Sequence, residues 1–140
     1  MQLNTYLTFD TNCREAFEFY RAVFGGEFAE IHTFDEAPPD MGVPEHERGL
    51  IMHVSLPIGS SVLMGSDSSS TQGPPPVVGS NFSVSVSPDS KEEADRLFAG
   101  LSEGGRTIMP LDDTFWGARF GMCVDRFGIT WQINFQYPAD

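Results

Sequence analysis

Three histidines, two cysteines and 20 acidic residues are the side chains with which this chain could do chemistry. His32 and His53 fall in strand-like stretches that can lie side by side. With an acid from the following loop, Glu36 or Asp40, they would offer a metal ion three donors. The alternative is an ordinary cross-strand or surface role. His53 alone could act as a general base, but the sequence supplies no partner to orient it. His46 sits among acids and reads as solvated. None of the three shows the i, i+4 helical pairing of a metalloprotease. Cys13 opens a helix, where backbone N–H groups favour a thiolate. Arg14 and Glu15 nearly cancel beside it, however, and no histidine is close in sequence, so packing at the helix start is expected. Cys123 lies opposite the apolar set of its strand and is expected to be structural or cavity-lining. Two cysteines do not make a disulfide framework.

These side chains must be positioned by a set of elements that occurs twice. Residues 13–24 read as a helix: Asn12 can cap it, Glu15 completes a capping-box pattern, and Gly25-Gly26 stops it. Ala16, Phe19, Tyr20 and Val23 mark its buried face. Residues 90–104 repeat the grammar, with Ser90 as cap, Glu93 closing the box, Ala94, Leu97, Phe98 and Leu101 as the stripe, and Gly104-Gly105 as the stop. Strand-like stretches precede the helices at 3–9 and 82–86. Three more follow each helix, at 28–33, 50–56 and 61–64, then at 107–111, 118–124 and 129–135. Gly59-Ser60-Ser61 reads as a hairpin turn. The chain is therefore βαβββ twice over, a duplicated module with a period near half its length. The expected organisation is a first module at 1–66, a Ser-, Gly- and Pro-rich linker at 67–80 and a second module at 81–140, together one compact domain. The acid- and proline-rich stretch 35–49 is long for a loop inside such a module, and reads as a lid, a binding loop or a solvated excursion.

Composition narrows the partners. The chain has 140 residues and a formal net charge of −12, a surface that repels phosphate backbones and anionic membranes. No apolar run approaches the roughly 20 residues of a membrane helix. Met1-Gln2-Leu3-Asn4-Thr5 carries no signal-peptide pattern, so a cytoplasmic location is expected. A helix covers one face of a small sheet, which leaves the other face for a second layer or a ligand. Thr130, Gln132 and Asn134 alternate with the apolar residues of the last strand, as Asn81, Ser83 and Ser85 do with Phe82, Val84 and Val86. Such uncharged polar side chains either face water or hydrogen-bond a ligand.

The blocks Tyr6-Leu7-Thr8-Phe9-Asp10, Ala16-Phe17-Glu18-Phe19-Tyr20 and Val23-Phe24-Gly25-Gly26 are followed by Met52-His53, Leu63-Met64-Gly65-Ser66-Asp67 and Lys91-Glu92-Glu93-Ala94-Asp95. Asp113-Thr114-Phe115-Trp116-Gly117 and Asp125-Arg126-Phe127-Gly128-Ile129-Thr130-Trp131 close the series. In this order and spacing the chain resembles the vicinal oxygen chelate superfamily of glyoxalase I, bleomycin-resistance proteins and extradiol dioxygenases. It is most similar to the PhnB-like branch, often labelled 3-demethylubiquinone methyltransferase-like. The resemblance implies an α+β fold of two βαβββ modules around a curved, mixed-sheet cleft, and commonly a homodimer. Metal enzymes of the superfamily take His, Glu or Gln ligands from the first, fourth, fifth and eighth strands. The matching positions here are Thr5, Met64, Asn81 and Gln132, a quartet without fixed negative charge, so no resident metal and no other cofactor are expected. S-adenosylmethionine-dependent transfer is not expected either, because the turn after the first strand, Asp10-Thr11-Asn12, lacks the glycines of a doubly wound nucleotide site.

The resulting expectation is a non-metal small-molecule-binding protein whose inter-module cleft is lined by Leu7, Phe9, Met64, Asn81, Trp116 and Gln132. No residue is assigned a catalytic role. Phe115 and Trp116 would close one end of the cleft or bury at a dimer interface. Arg119 is expected to pair with Asp112 or Asp113, with an anionic ligand as the alternative. The competing readings are a metal-dependent lyase, isomerase or dioxygenase, and a dimeric interaction protein with a vestigial cleft.

Overall fold

Each half of the sequence folds as one four-stranded sheet carrying one helix, in a computed structural model that describes residues 1–139. The first comprises β1 (Thr5–Phe9), α1 (Cys13–Phe24), β2 (Glu30–Thr33), β3 (Ile51–Ile58) and β4 (Ser61–Asp67). The second comprises β5 (Val84–Val86), α2 (Lys91–Ser102), β6 (Arg106–Asp113), β7 (Ala118–Val124) and β8 (Thr130–Gln136). The sheet orders are β1-β4-β3-β2 and β5-β8-β7-β6, so the same topology occurs twice. In each, the first strand pairs in parallel with the last and the other neighbours are antiparallel. The α+β class and the duplication follow from the paired helical stripes and the strands around them.

α1 has the expected bounds but a different start. Asn12 makes no side-chain cap. The Cys13 N–H donates instead to the Asp67 carboxylate at 2.9 Å, and the Ile51 N–H donates to the other carboxylate oxygen at 2.8 Å. Asp67 thus ties the helix N-terminus to the end of β4 and the start of β3. The buried face is Cys13, Ala16, Phe17, Tyr20 and Val23; Phe19 is only half-buried. Phe17 takes the central place because Gly65 opens room for it on β4: a Cβ there would lie 2.5 Å from the Phe17 ring. α2 starts as expected, with the Glu93 N–H donating to Ser90 Oγ at 3.1 Å and the Asp89 N–H to the Glu93 carboxylate at 3.0 Å. Ala94, Leu97 and Leu101 are buried along it.

The chain divides into two compact units, Met1–Val77 and Val78–Asp140, at a point within the Ser-, Gly- and Pro-rich stretch. The start of that stretch belongs to the first unit. Asp67 closes β4, and Ser69 and Ser70 bind the buried Glu47 carboxylate: Ser69 Oγ donates at 2.9 Å and Ser70 Oγ at 2.6 Å.

Candidate functional site

Side chains alternate across a strand, so each sheet sorts its residues into a helix-covered face and an open face. In the first sheet Leu63, Gly65 and Asp67 point toward α1. Thr5, Leu7 and Phe9 share that face, because they pair with Leu63, Gly65 and Asp67 in register. Leu7 and Phe9 are each 4% exposed, and Phe9 meets Phe17 edge-on at 6.2 Å. Both are core beneath α1, which removes them from any lining they would share with Met64. Met64, Tyr6, Thr8 and Ser66 lie on the open face.

The open face of the first sheet gathers the titratable groups. His32 and His53 are cross-strand partners on β2 and β3. The Tyr6 ring stacks on His53 with centroids 5.7 Å apart, and its hydroxyl lies 3.2 Å from His53 Nδ1. The Glu30 carboxylate stands 3.5 Å from His53 Nε2. His32 Nδ1 lies 3.1 Å from Glu36, whose other oxygen accepts the Thr33 N–H at 2.9 Å. Those two bonds, His32 first, hold the Glu36 carboxyl below the usual carboxylate range. The partner of His53 therefore comes from β1 and β2, at sequence distances that no local spacing reveals. His46 is 81% exposed beside Glu47.

In the second sheet Gly121 and Cys123 face α2; a Cβ on Gly121 would lie 2.9 Å from the Phe98 ring. Trp131 and Ile133 share this face through pairing with Cys123 and Gly121. The open face carries Phe120 against Asn134, Met122 against Gln132, and Val124 against Thr130, with Ser85 beside Gln132. The apolar alternation of β7 thus marks the side away from the helix. Phe120, Met122 and Gln132 are half-buried. Asn134 Oδ1 is buried and has no hydrogen-bond partner among the described residues. Asn81 is exposed and precedes β5, outside the strand. Trp116 stands in the β6–β7 connection, 55% exposed, with Phe115 at 97% packed edge-on against it at 5.0 Å. Arg119 pairs with Asp95 at 2.7 Å and Asp113 at 3.1 Å, an ordinary ion pair that adds Asp95 to the expected partner.

Other candidates become structural. Cys13 is fully buried, and burial first, then the Asp67 carboxylate, pushes its thiol well up. It is no thiolate. Burial, with Asp125 behind it, likewise pushes the Cys123 thiol up to about 11. The 35–49 stretch is tethered at its base by Phe34, buried at 3% exposure, and by Glu47. Its hollow, between Phe34, Pro38, Pro39, Val43 and Arg48, has a volume of about 120 Å³. That is well below the roughly 300 Å³ at which small-molecule pockets begin.

A metal finds no seat in the quartet that the fold suggests. Thr5 and Met64 lie on opposite faces of one sheet, and Asn81 is off its strand. Tyr6, Met64, Ser85 and Gln132, which do lie on open faces, include no carboxylate or imidazole. Among the described residues no group of three or more His, Cys, Asp and Glu side chains is arranged to hold a metal ion. His32 and His53 are cross-strand partners, with Glu36 against His32 and Glu30 against His53, but among the described residues these side chains are not arranged around a common point that could hold a metal ion. Among the described residues no helix is long and apolar enough to cross a membrane.

Twin βαβββ sheets with open faces of this kind define a recognised class. The family model described as 3-demethylubiquinone-9 3-methyltransferase matches residues 1–134, and the chain belongs to that family. Protein YjdN of Escherichia coli K12 is 30% identical, covering 96% of this chain and 95% of its own. The crystal structure of protein PA1353 from Pseudomonas aeruginosa is 41% identical with a TM-score of 0.86, over 99% of both chains. A structure from Bacillus cereus described as a putative 3-demethylubiquinone-9 3-methyltransferase, PhnB protein, is 26% identical with a TM-score of 0.76, over 96% of this chain and 99% of that one. More distant structures described as a glyoxalase-related enzyme and as a glyoxalase/bleomycin resistance protein/dioxygenase family enzyme share the fold at 19% and 17% identity. Within that family the chain is PhnB-like, and it shares the fold of the glyoxalase-related structures.

Proposed function

We propose that this chain binds a small molecule, without a resident metal, on the open face of its second sheet. Phe120 and Met122 supply apolar contact there, and Gln132 and Asn134 supply amide hydrogen bonds. The observation that carries this reading is Asn134 Oδ1, a buried acceptor with no donor among the described residues. Leaving such a group unpaired costs about 1–3 kcal/mol. A ligand N–H or O–H placed against it recovers that energy, so the favoured ligand has a hydrogen-bond donor on an aromatic or apolar body. The net charge of −12 favours neutral or cationic ligands over anions. Methyl transfer, the activity in the family's description, is not the reading proposed: the Asp10-Thr11-Asn12 turn and the two mixed four-stranded sheets offer no glycine-rich nucleotide site.

The proposal includes a homodimer with the Phe115–Trp116 tip and the exposed Ile108 and Met109 of β6 at its contact, because large apolar side chains are costly at a surface unless something covers them. The test of binding is a melting-temperature screen with aromatic amides, amidines and amines, run with and without chelator. Fragments that stabilise the protein equally in both conditions, and fail to stabilise N134L, support the reading. Stabilisation that vanishes with chelator, or that N134L retains in full, removes it.

A further inference from the structure

The open face of the first sheet holds a proton relay that the binding reading does not use. We propose that Tyr6, His53 and Glu30 form a metal-free general-base site for small, neutral proton donors, with Tyr6 as the catalytic residue, His53 as the proton acceptor behind it and Glu30 as a positioning residue. This goes beyond the binding reading, since it concerns the other unit and different side chains.

Geometry assigns the roles. Glu30 stands 3.5 Å from His53 Nε2, so the imidazole proton belongs on Nε2, facing the carboxylate. That leaves Nδ1 with a lone pair, and the Tyr6 hydroxyl, 3.2 Å away, donates to it. The two rings are stacked, with their planes 24° apart, which limits rotation of the imidazole. Tyr6 is 46% exposed, so its oxygen can be reached from solution. The His53 side chain is only 28% exposed. The imidazole is thus shielded and the phenol presented.

The step balances without a co-reactant. As Tyr6 Oη takes a proton from the substrate, its own proton passes to Nδ1, and the substrate keeps the electron pair of the broken bond. The imidazolium so formed is stabilised by Glu30. Returning the proton to product or to water restores the site. The other titratable groups facing His53 are few. His32 is its cross-strand partner, and Glu36 lies against His32 at 3.1 Å, which leaves Glu30 as the carboxylate beside His53.

The test uses the full chain and nitrobenzisoxazole, whose ring opens when a base removes its carbon-bound proton: the N–O bond breaks and a coloured phenolate forms. The expected rate exceeds that of imidazole at the same concentration by about tenfold or more. Y6F lowers it about tenfold, and H53Q brings it to background. E30Q lowers kcat several-fold with KM unchanged, because the imidazole loses the group that fixes its orientation and tautomer, and E30D restores part of the rate. Tyr6 and Glu30 are exposed enough that Y6F and E30Q keep the wild-type melting temperature, which is measured alongside for all three variants. A rate no higher than that of free imidazole overturns the proposal. So does a Y6F variant as fast as wild type, or an E30Q variant with unchanged kcat.

Discussion

Replacing Asn134 by leucine should raise the stability of the protein while removing its binding. The two side chains share the same branched heavy-atom connectivity, and position 134 faces Phe120 on an apolar strand. The asparagine leaves Oδ1 buried and unpaired among the described residues, at a cost of about 1–3 kcal/mol. Leucine lifts that cost and loses at most one ordinary hydrogen bond of the amide nitrogen, about 0.5–1.5 kcal/mol. At the midpoints of the two ranges the net gain is about 1 kcal/mol, or roughly 3 °C in melting temperature for a chain of this size. Urea and thermal melts of the two proteins measure it. The trade is the one expected where a site keeps an unsatisfied group for its ligand. If N134L is less stable than wild type by 1 kcal/mol or more (about the worth of one net hydrogen bond), Oδ1 was not a burden, and the argument from it to a ligand fails.

Three further outcomes follow from the same structure. D67A strands the N–H groups of Cys13 and Ile51 where the carboxylate met both, so it should lower stability by about 2–4 kcal/mol in urea melts. The Glu47 carboxyl is held below its ordinary value of 4.5, first by the Ser70 hydroxyl and also by Ser69. It therefore takes its proton at lower pH in the folded chain than in the unfolded one. Its stabilising contribution is complete above the unfolded value and drains as pH falls through the folded one. E47Q should accordingly show a flatter acid limb in a series of urea melts across pH. F115S/W116S should convert a dimer to a monomer in light scattering with little change in melting temperature; an unchanged mass would remove the tip from the contact.

The fold was legible because hydrophobic periodicity and turn chemistry agree at nearly every element. Both helices and all eight strands lie where the stripes, caps and glycine pairs put them, with ends shifted by a few residues. Two local features were not legible. The start of α1 is held by Asp67, 54 residues away, rather than by Asn12, and no nearby residue signals that bond. Phe17 displaces Phe19 from the core because Gly65 leaves space on β4, which is a tertiary fact. The site was legible only in part. The polar alternation of β8 placed Gln132 and Asn134 correctly on the open face. Leu7 and Phe9, expected in the cleft lining, lie under α1 instead, because period two puts them on that face and puts Tyr6 and Thr8 outside. The partners of His53 lie on neighbouring strands, and pairing register decides such contacts.

The most direct measurement is a crystal structure of the protein with the fragment that stabilises it most. The account predicts that fragment on the open face of the second sheet, its donor within about 3.2 Å of Asn134 Oδ1 and its body against Phe120 and Met122. A fragment bound elsewhere with Asn134 still unpaired, or one held through a metal ion, would contradict it.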